Sequence, residues 1–475
     1  MLTTTIGRSF GRKKLCCFLV VFWVVFFIMG AFPLPLHGHD LVAANSTAVR
    51  SVSRAFAYSW GRGNEGQLGH EDTKDLLYPL KIDPLHGVRE ISAGESHSLV
   101  LTENGDVFAF GNNNKGQLGL GTVSKSVPTP TKIDLDHVEA IAAGHSHTLL
   151  LKEGRVYSCG EGANGALGHG DKKNKSYPQL VNAPNLNDVR AIAAGFHYSL
   201  ALLEDGSVYA FGQNDEGKLG LGDTVQRLTP IRVDLDHVEA IAAGYSHTLL
   251  LKEGRVYSCG GGTNGALGHG DTEDRNTPRL IENLENVKSI AAGWGDFLDG
   301  SHSLALLENG DVYSCGRGDG GALGHGDYGH RGIPSRMESV KKATAIAAGR
   351  NFSLILLENG ELYSCGKNDE KQLGVDTDQD KVPVPTRIDH IKEVVSISAG
   401  SRHALLISTM VMIGDVDGNG IINVSDAILV LKHIVKLIEL KGKDREAADT
   451  NKDTSIDVND AILILKYIVK LIEKF

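Results

Sequence analysis

Near the C-terminus two short segments carry oxygen-bearing side chains at the intervals a hard cation needs. In GDVDGNGIINVSDAILVLKHIVKLIE, from Gly414, the residues Asp415, Asp417, Asn419, Asn423 and Asp426 fall at positions 1, 3, 5, 9 and 12 of a loop, and the Ile421 carbonyl supplies position 7. In ADTNKDTSIDVNDAILILKYIVKLIE, from Ala448, an offset of 34 residues away, Asp449, Asn451, Asp453, Asp457 and Asp460 repeat the set, with the Ser455 carbonyl. Calcium takes about six to eight oxygens in a pliable shell, so two calcium ions are expected. The sixth position is Gly420 in the first loop and Thr454 in the second. That turn favours positive φ, costly for a β-branched side chain, so the second loop is expected to be strained or to bind more weakly.

Other reactive residue types recur along the chain. His97, His147, His247, His302 and His403 share one repeat position, which Tyr198 and Phe352 fill in two further copies, and His70, His169, His269 and His325 share another. Side chains placed once per repeat are held apart and cannot meet on one ion or substrate. They are expected to be hydrogen-bonded structural groups, and no catalytic residue is assigned. Cys159, Cys259, Cys315 and Cys365 also share a position. Equivalent positions lie beyond disulfide reach, so these read as small buried thiols. One segment breaks the pattern, the insertion WGDFLDG with Trp294, Asp296, Phe297 and Asp299. It either projects, offering aromatics beside acids to a sugar or a protein, or packs on its own repeat.

These residues depend on the repeats that carry them. Seven segments share one pattern, among them YSWGRGNEGQLG from Tyr58, FAFGNNNKGQLG from Phe108 and YSCGKNDEKQLG from Tyr363, spaced by about 50 residues. Between them an Ile-rich approach leads to Gly94, Gly144, Gly195, Gly244, Gly293, Gly349 and Gly400, each followed by an apolar strand such as HSLVL. Tight turns join the two, at Asn104-Gly105, Glu153-Gly154, Asp205-Gly206, Glu253-Gly254, Asn309-Gly310 and Asn359-Gly360. Most are Asn-Gly or Asp-Gly, pairs suited to hairpins whose two central residues take positive φ.

Six turns serve seven copies. The first strand, near Ala57 to Trp60, and the last, His403 to Ile407, each lack a neighbour in sequence, and pairing them closes a ring without exposed edges. The expected fold is therefore an all-β seven-bladed propeller over 55–408. The recurring G-x-x-x-x-G-x-L-G and A-A-G-x-x-H motifs resemble the regulator of chromosome condensation repeat family, from about Ala55 to Ser408, with Lys371 replacing a Gly in the last copy. The resemblance implies seven blades. The founding member is a nuclear exchange factor for a small GTPase, a role ill suited to an exported acidic chain. Other members are secreted binders, one an inhibitor of β-lactamases.

Behind each calcium loop lies an amphipathic stretch, Ile428, Leu431, Val435 and Ile438 in one and Ile462, Leu465, Val469 and Ile472 in the other, with no comparable helix entering either loop. Asp stands at position 12 in both. The arrangement closely resembles the type I dockerin family over 413–475, a small α-helical calcium-loop domain. That resemblance implies folding only with calcium and binding to a cohesin module on a scaffolding protein. It associates partner choice with Val424, Ser425, Val458 and Asn459, and with Lys432, Lys436, Lys466 and Lys470. Near-duplicate halves imply two binding orientations.

Composition bounds the rest. A formal charge of -10 has the wrong sign for gathering nucleic acid. Arg8, Arg12, Lys13 and Lys14 precede the apolar stretch Leu15 to Phe32, and Val42-Ala43-Ala44 offers small residues for cleavage, so 1–44 reads as a signal peptide or a signal anchor. The chain is tied to a membrane only if that segment stays. The expectation is an exported, non-catalytic binding protein, extracellular or at the cell surface, whose propeller binds an unknown protein or glycan in a cellulosome-like assembly. The alternatives are a carbohydrate-active enzyme in polysaccharide degradation, or an inhibitor of extracellular enzymes.

Overall fold

The computed structural model describes residues 55–295, 301–389, 391–409, 413–417 and 422–469. The segment 1–44 and the residues Asp296, Phe297, Asp299, Asn419, Ile421 and Lys470 lie outside them. Among the described residues no helix is long and apolar enough to cross a membrane.

Seven four-stranded antiparallel sheets form the propeller. In one, Val88–Ala93, His97–Thr102, Val107–Asn113 and Ser124–Lys132 follow one another outward from the axis. Six sheets are built from consecutive strands in this way. The seventh takes strands from both ends of the array, with His403–Ser408 running between Val394–Ala399 and Phe56–Gly61. Its closing register pairs Phe56 with Ser408, Tyr58 with Leu406 and Gly61 with His403, as the missing seventh turn requires.

The second strand of every blade is buried along nearly its whole length, because both its faces meet neighbouring blades. Thus Leu99 and Leu101 pack with Val138 and Ile141 of the following blade, while Val100 packs with Ile407 and Leu405 of the preceding one.

The hairpin turns differ from expectation. Only Glu153-Gly154 and Glu253-Gly254 place both residues at positive φ, 51° and 66° in the first and 52° and 66° in the second. There Lys152 pairs with Arg155 and the loop has two residues. At Asn104-Gly105 the loop carries extra residues between Leu101 and Val107, and Gly105 alone is left-handed, at φ 80°. Its amide closes onto the Thr102 carbonyl at 3.0 Å while the Thr102 amide reaches the Asp106 carbonyl at 3.0 Å, which absorbs the added length.

The C-terminal domain has three helices, α1 (Val424–Ile434), α2 (Gly442–Ala448) and α3 (Val458–Ile468). α1 and α3 begin with matching capping boxes. Asn423 and Asp457 accept from the amides of Ser425 and Asn459, and Asp426 and Asp460 accept from the amides of Asn423 and Asp457. Two features depart from the sequence reading. The core centres on Ala427, Val430, Ala461 and Ile464, while Val435 and Val469 are 59% and 62% exposed. Those valines stand just beyond the last helical residues, where the 3.6-residue period no longer sets direction. A short helix, α2, also leads into the second loop, its Ala447 and Ala448 buried and the Ala447 carbonyl accepting from the Gly414 amide at 2.8 Å.

Candidate functional site

The recurrent histidines stitch blade to blade. His97 Nε2 lies 3.0 Å from Thr148 Oγ1, His147 Nε2 3.0 Å from Ser199 Oγ, and His302 Nε2 2.9 Å from Ser353 Oγ. Each of those hydroxyls spends its proton on a carbonyl, Thr148 on Gln117, Ser199 on Ala166 and Ser353 on Ala322. The imidazole must then donate from Nε2. Burial holds these rings neutral, down to about 3 for His97, His147 and His302. In the blade with Tyr198, the phenol takes over, donating to the His247 carbonyl at 2.6 Å and accepting from the Gly244 amide at 3.1 Å, with Thr248 Oγ1 3.0 Å away. The second set acts within a blade, as His169 Nε2 does on Ser158 Oγ at 2.9 Å. The thiols Cys159, Cys259, Cys315 and Cys365 are buried and unpaired with one another. Burial pushes each up to about 12.

A chemically varied ring that the repeat pattern hides runs from blade to blade. The residue after each repeat glycine is Glu95, His145, Phe196, Tyr245, Trp294, Arg350 or Ser401. Backbone bonds chain these positions around the axis. The amide of Glu95 donates to the Gly144 carbonyl, His145 to Gly195, Phe196 to Gly244, Tyr245 to Gly293 and Ser401 to Gly94, at 3.0–3.3 Å. Glycine is needed for that approach. A Cβ on Gly94 would stand 2.5 Å from the Gly144 oxygen and 2.8 Å from the His97 ring.

Unlike side chains thereby meet on successive blades. Glu95 pairs with His145 Nε2. The His145 ring packs edge-on against Phe196 at 4.5 Å between centroids, and Phe196 stacks on Tyr245 at 4.0 Å. His197 also touches His145, at 4.5 Å, and its Nδ1 lies 3.7 Å from Glu161. Burial first, then the charges of His145, Lys218 and Lys115, holds His197 down to about 3. Trp294, expected on the loop that either projects or packs down, is buried, at 6% exposed. In the blade before that of His145, Glu90 is the lone carboxylate among inner-strand positions that elsewhere hold Ala or Ser. It accepts from the Ile141 amide at 3.4 Å, and burial pushes it up to about 7.

Sequence reading passed over this ring because each member occupies a slot treated as filler within A-A-G-x-x-H. The signal was the variability of that slot between blades otherwise almost alike.

In the C-terminal domain, oxygen atoms of Asp415, Asp417 and Asp426 gather within 4.8 Å of one another, Asp415 and Asp426 being 1% and 0% exposed. Burial is the main influence raising Asp426 above the usual carboxylate range, with the Asp417 charge adding to it. Buried like charges that converge need a cation, and an all-oxygen set fits calcium. Among the described residues the second loop forms no such cluster. Its acids instead hold loop amides, Asp449 those of Asp453 and Thr454 and Asp453 that of Ser455. Thr454 sits at φ 74°, the left-handed turn expected at position six.

Most of the positions that the dockerin resemblance associates with partner choice are exposed. Val424, Ser425, Lys436, Val458, Asn459 and Lys466 are exposed and Lys432 is half-buried. Val424 and Val458 occupy equivalent first-turn positions on α1 and α3.

Fold and site define a ring-closed propeller of seven blades joined to a calcium-loop domain. The chain belongs to the RCC1-like domain family, whose model matches residues 56–406, and carries a type I dockerin domain, matched at 413–469. It is similar to the ultraviolet-B receptor UVR8 of Arabidopsis thaliana, 32% identical over 382 residues, covering 78% of this chain and 64% of that protein. It is also similar to the mitochondrial RCC1 domain-containing protein RUG3 of the same plant, 30% identical, covering 73% of this chain and 71% of that one. Among solved structures, Prp20p from Saccharomyces cerevisiae superposes with a TM-score of 0.68 at 26% identity, covering 78% of this chain and 94% of that one. The chain thus spans less than two thirds of UVR8, and only 4% of the mouse ubiquitin ligase HERC2.

Proposed function

We propose that this is an exported, non-catalytic binding protein of an extracellular, cellulosome-like assembly. Residues 1–44 serve as its export leader or anchor, 55–408 as a ligand-presenting propeller and 413–475 as the docking module. The docking module holds two calcium ions and attaches to a cohesin module of a scaffold through Val424, Ser425, Lys432 and Lys436 or, after rotation, Val458, Asn459, Lys466 and Lys470. The propeller presents its axial ring to a protein or a glycan engaged in polysaccharide breakdown.

One observation carries this reading. The repeated histidines are committed to joining the blades, which leaves the unlike residues Glu95, His145, Phe196 and Tyr245 as a contact surface, on a chain whose other end is a dockerin domain. Aromatic rings beside a carboxylate suit a sugar face or a protein side chain.

The test is binding of the full chain to immobilised type I cohesin with calcium present. Val424→Asp and Val458→Asp alone should each retain binding through the other half, and the double variant should lose it. Undiminished binding by the double variant, or none by the wild type, overturns the docking surface. For the propeller, a glycan array probed with wild type and Phe196→Ala and Tyr245→Ala variants should show ligands lost in the variants. Turnover of any glycan would replace the non-catalytic reading.

A further inference from the structure

Two blades are almost the same sequence. Residues 134–171 and 234–271 align at an offset of 100 and differ at three positions, His145 against Tyr245, Glu161 against Gly261 and Ala163 against Thr263. Two of the three meet in space. A ring nitrogen of His145, a carboxylate oxygen of Glu161 and a ring nitrogen of His197 all lie within 4.8 Å of one another. His197 breaks the pattern too, since Ser96, Ser146, Ser246 and Ser301 hold its place in four other blades. Substitutions without a shared role would be scattered over the surface of a blade. These three, from three separate segments, converge.

We infer that His145, Glu161 and His197 bind a divalent transition-metal ion, with zinc the best fit. Imidazole with carboxylate is a zinc donor set, whereas the C-terminal loops offer oxygen alone and suit calcium. The orientation of two of the donors is already held. Ser146 Oγ holds His145 Nδ1 at 2.9 Å, leaving Nε2 toward Glu95. Lys115 binds Glu161 through Oε1 at 3.3 Å, while Oε2 faces His197. Such outer partners align metal ligands and raise their affinity. Phe196 walls one side, 4.5 Å from the His145 ring and 4.2 Å from that of His197.

Charge permits the ion. Glu95 and Glu161 outnumber Lys115, and Lys218, the other nearby ammonium, faces Glu216 at 3.8 Å. Zinc bonds of about 2.0–2.2 Å set ligand atoms about 3.4 Å apart, so the three donors, now within 4.8 Å of one another, draw together on binding.

The test uses the full chain saturated with calcium, so that the C-terminal loops are filled, and titrated with Co²⁺ and then Zn²⁺. One equivalent of Co²⁺ should give the visible absorption of a four-coordinate ion, and Zn²⁺ should displace it. His145→Tyr and Glu161→Gly import residues the sister blade already tolerates, so both should keep the thermal transition of the metal-free protein. Each should weaken the metal by about tenfold or more. The site is refuted by an absence of saturable binding in the calcium-loaded protein, or by unchanged affinity in folded His145→Tyr.

Discussion

His403, in the last strand of the propeller, donates from Nε2 to the Oγ of Ser98, 2.8 Å away in the next blade. The serine passes its own proton to the Gln67 carbonyl at 2.7 Å, so one hydroxyl serves three segments at the seam where the ring closes.

Ser98→Ala leaves the His403 N–H and one bond of the Gln67 carbonyl unanswered in a dry interior, and should cost about 1–3 kcal/mol in urea unfolding. Ser98→Thr should be close to neutral, because Thr148 and Thr248 hold the same place in other blades. Equal losses in the two variants would show that the hydroxyl is not the reason.

The buried histidines should make the propeller acid-sensitive, opposed in part by Glu90, whose carboxyl, raised to about 7, favours the folded state as the pH falls. Burial holds His97, His147, His302 and His403 at about 3 and His247 at about 4, with charged histidine neighbours adding to the effect at His97, His147 and His302. An unfolded chain keeps them near about 6.5 and so binds more protons between these values. Their contribution to stability is full above about pH 6.5 and falls as the pH drops toward 3, each ring contributing up to about 1.4 kcal/mol per pH unit. Between about pH 6 and 4 the urea midpoint should decline, and less steeply in His403→Phe, which imitates Phe352. A flat profile contradicts this.

Calcium removal should melt α1 and α3, whose first turns share Asp426 and Asp460 with the loops, and leave the propeller strands folded. Helical circular dichroism should fall in excess chelator while the strand signal stays. Thr454→Gly relieves a left-handed β-branched residue and should tighten the weaker calcium step by calorimetry. An unaltered second step would place the weakness elsewhere.

Cys159, Cys259, Cys315 and Cys365, pushed up to about 12 and buried, should resist alkylation in the folded protein at pH 8 and react once it is unfolded, as peptide mass mapping would show. Native modification of any one would mean that its blade opens.

Much of the propeller is legible in sequence because each blade repeats its own turn and strand signals, and because a missing Gly turn leaves Phe56–Gly61 and His403–Ser408 as mutual partners. The histidine reading follows from the same logic of separation. Periodicity also conceals. His145, Glu161 and His197 stand in slots that the repeat averages away, and only their meeting in three dimensions distinguishes them. Turn type at Asn104-Gly105 depends on loop length more than on the dipeptide. In the C-terminal domain, ligand spacing is local and readable. The buried face of α1 depends instead on what α3 brings to it, and α2 lacks an apolar stripe that would have announced it.

The strand that closes the ring is also the last one before the docking module, which begins at residue 413. In the proposed role, a pull between a scaffold and a bound target would be delivered at Ser408. That residue pairs with Phe56 on one side and Val394 on the other. Tension meets two hydrogen-bonded ladders at once, so the seam doubles as a mechanical clamp, and detaching the tether by force would have to open the whole wheel.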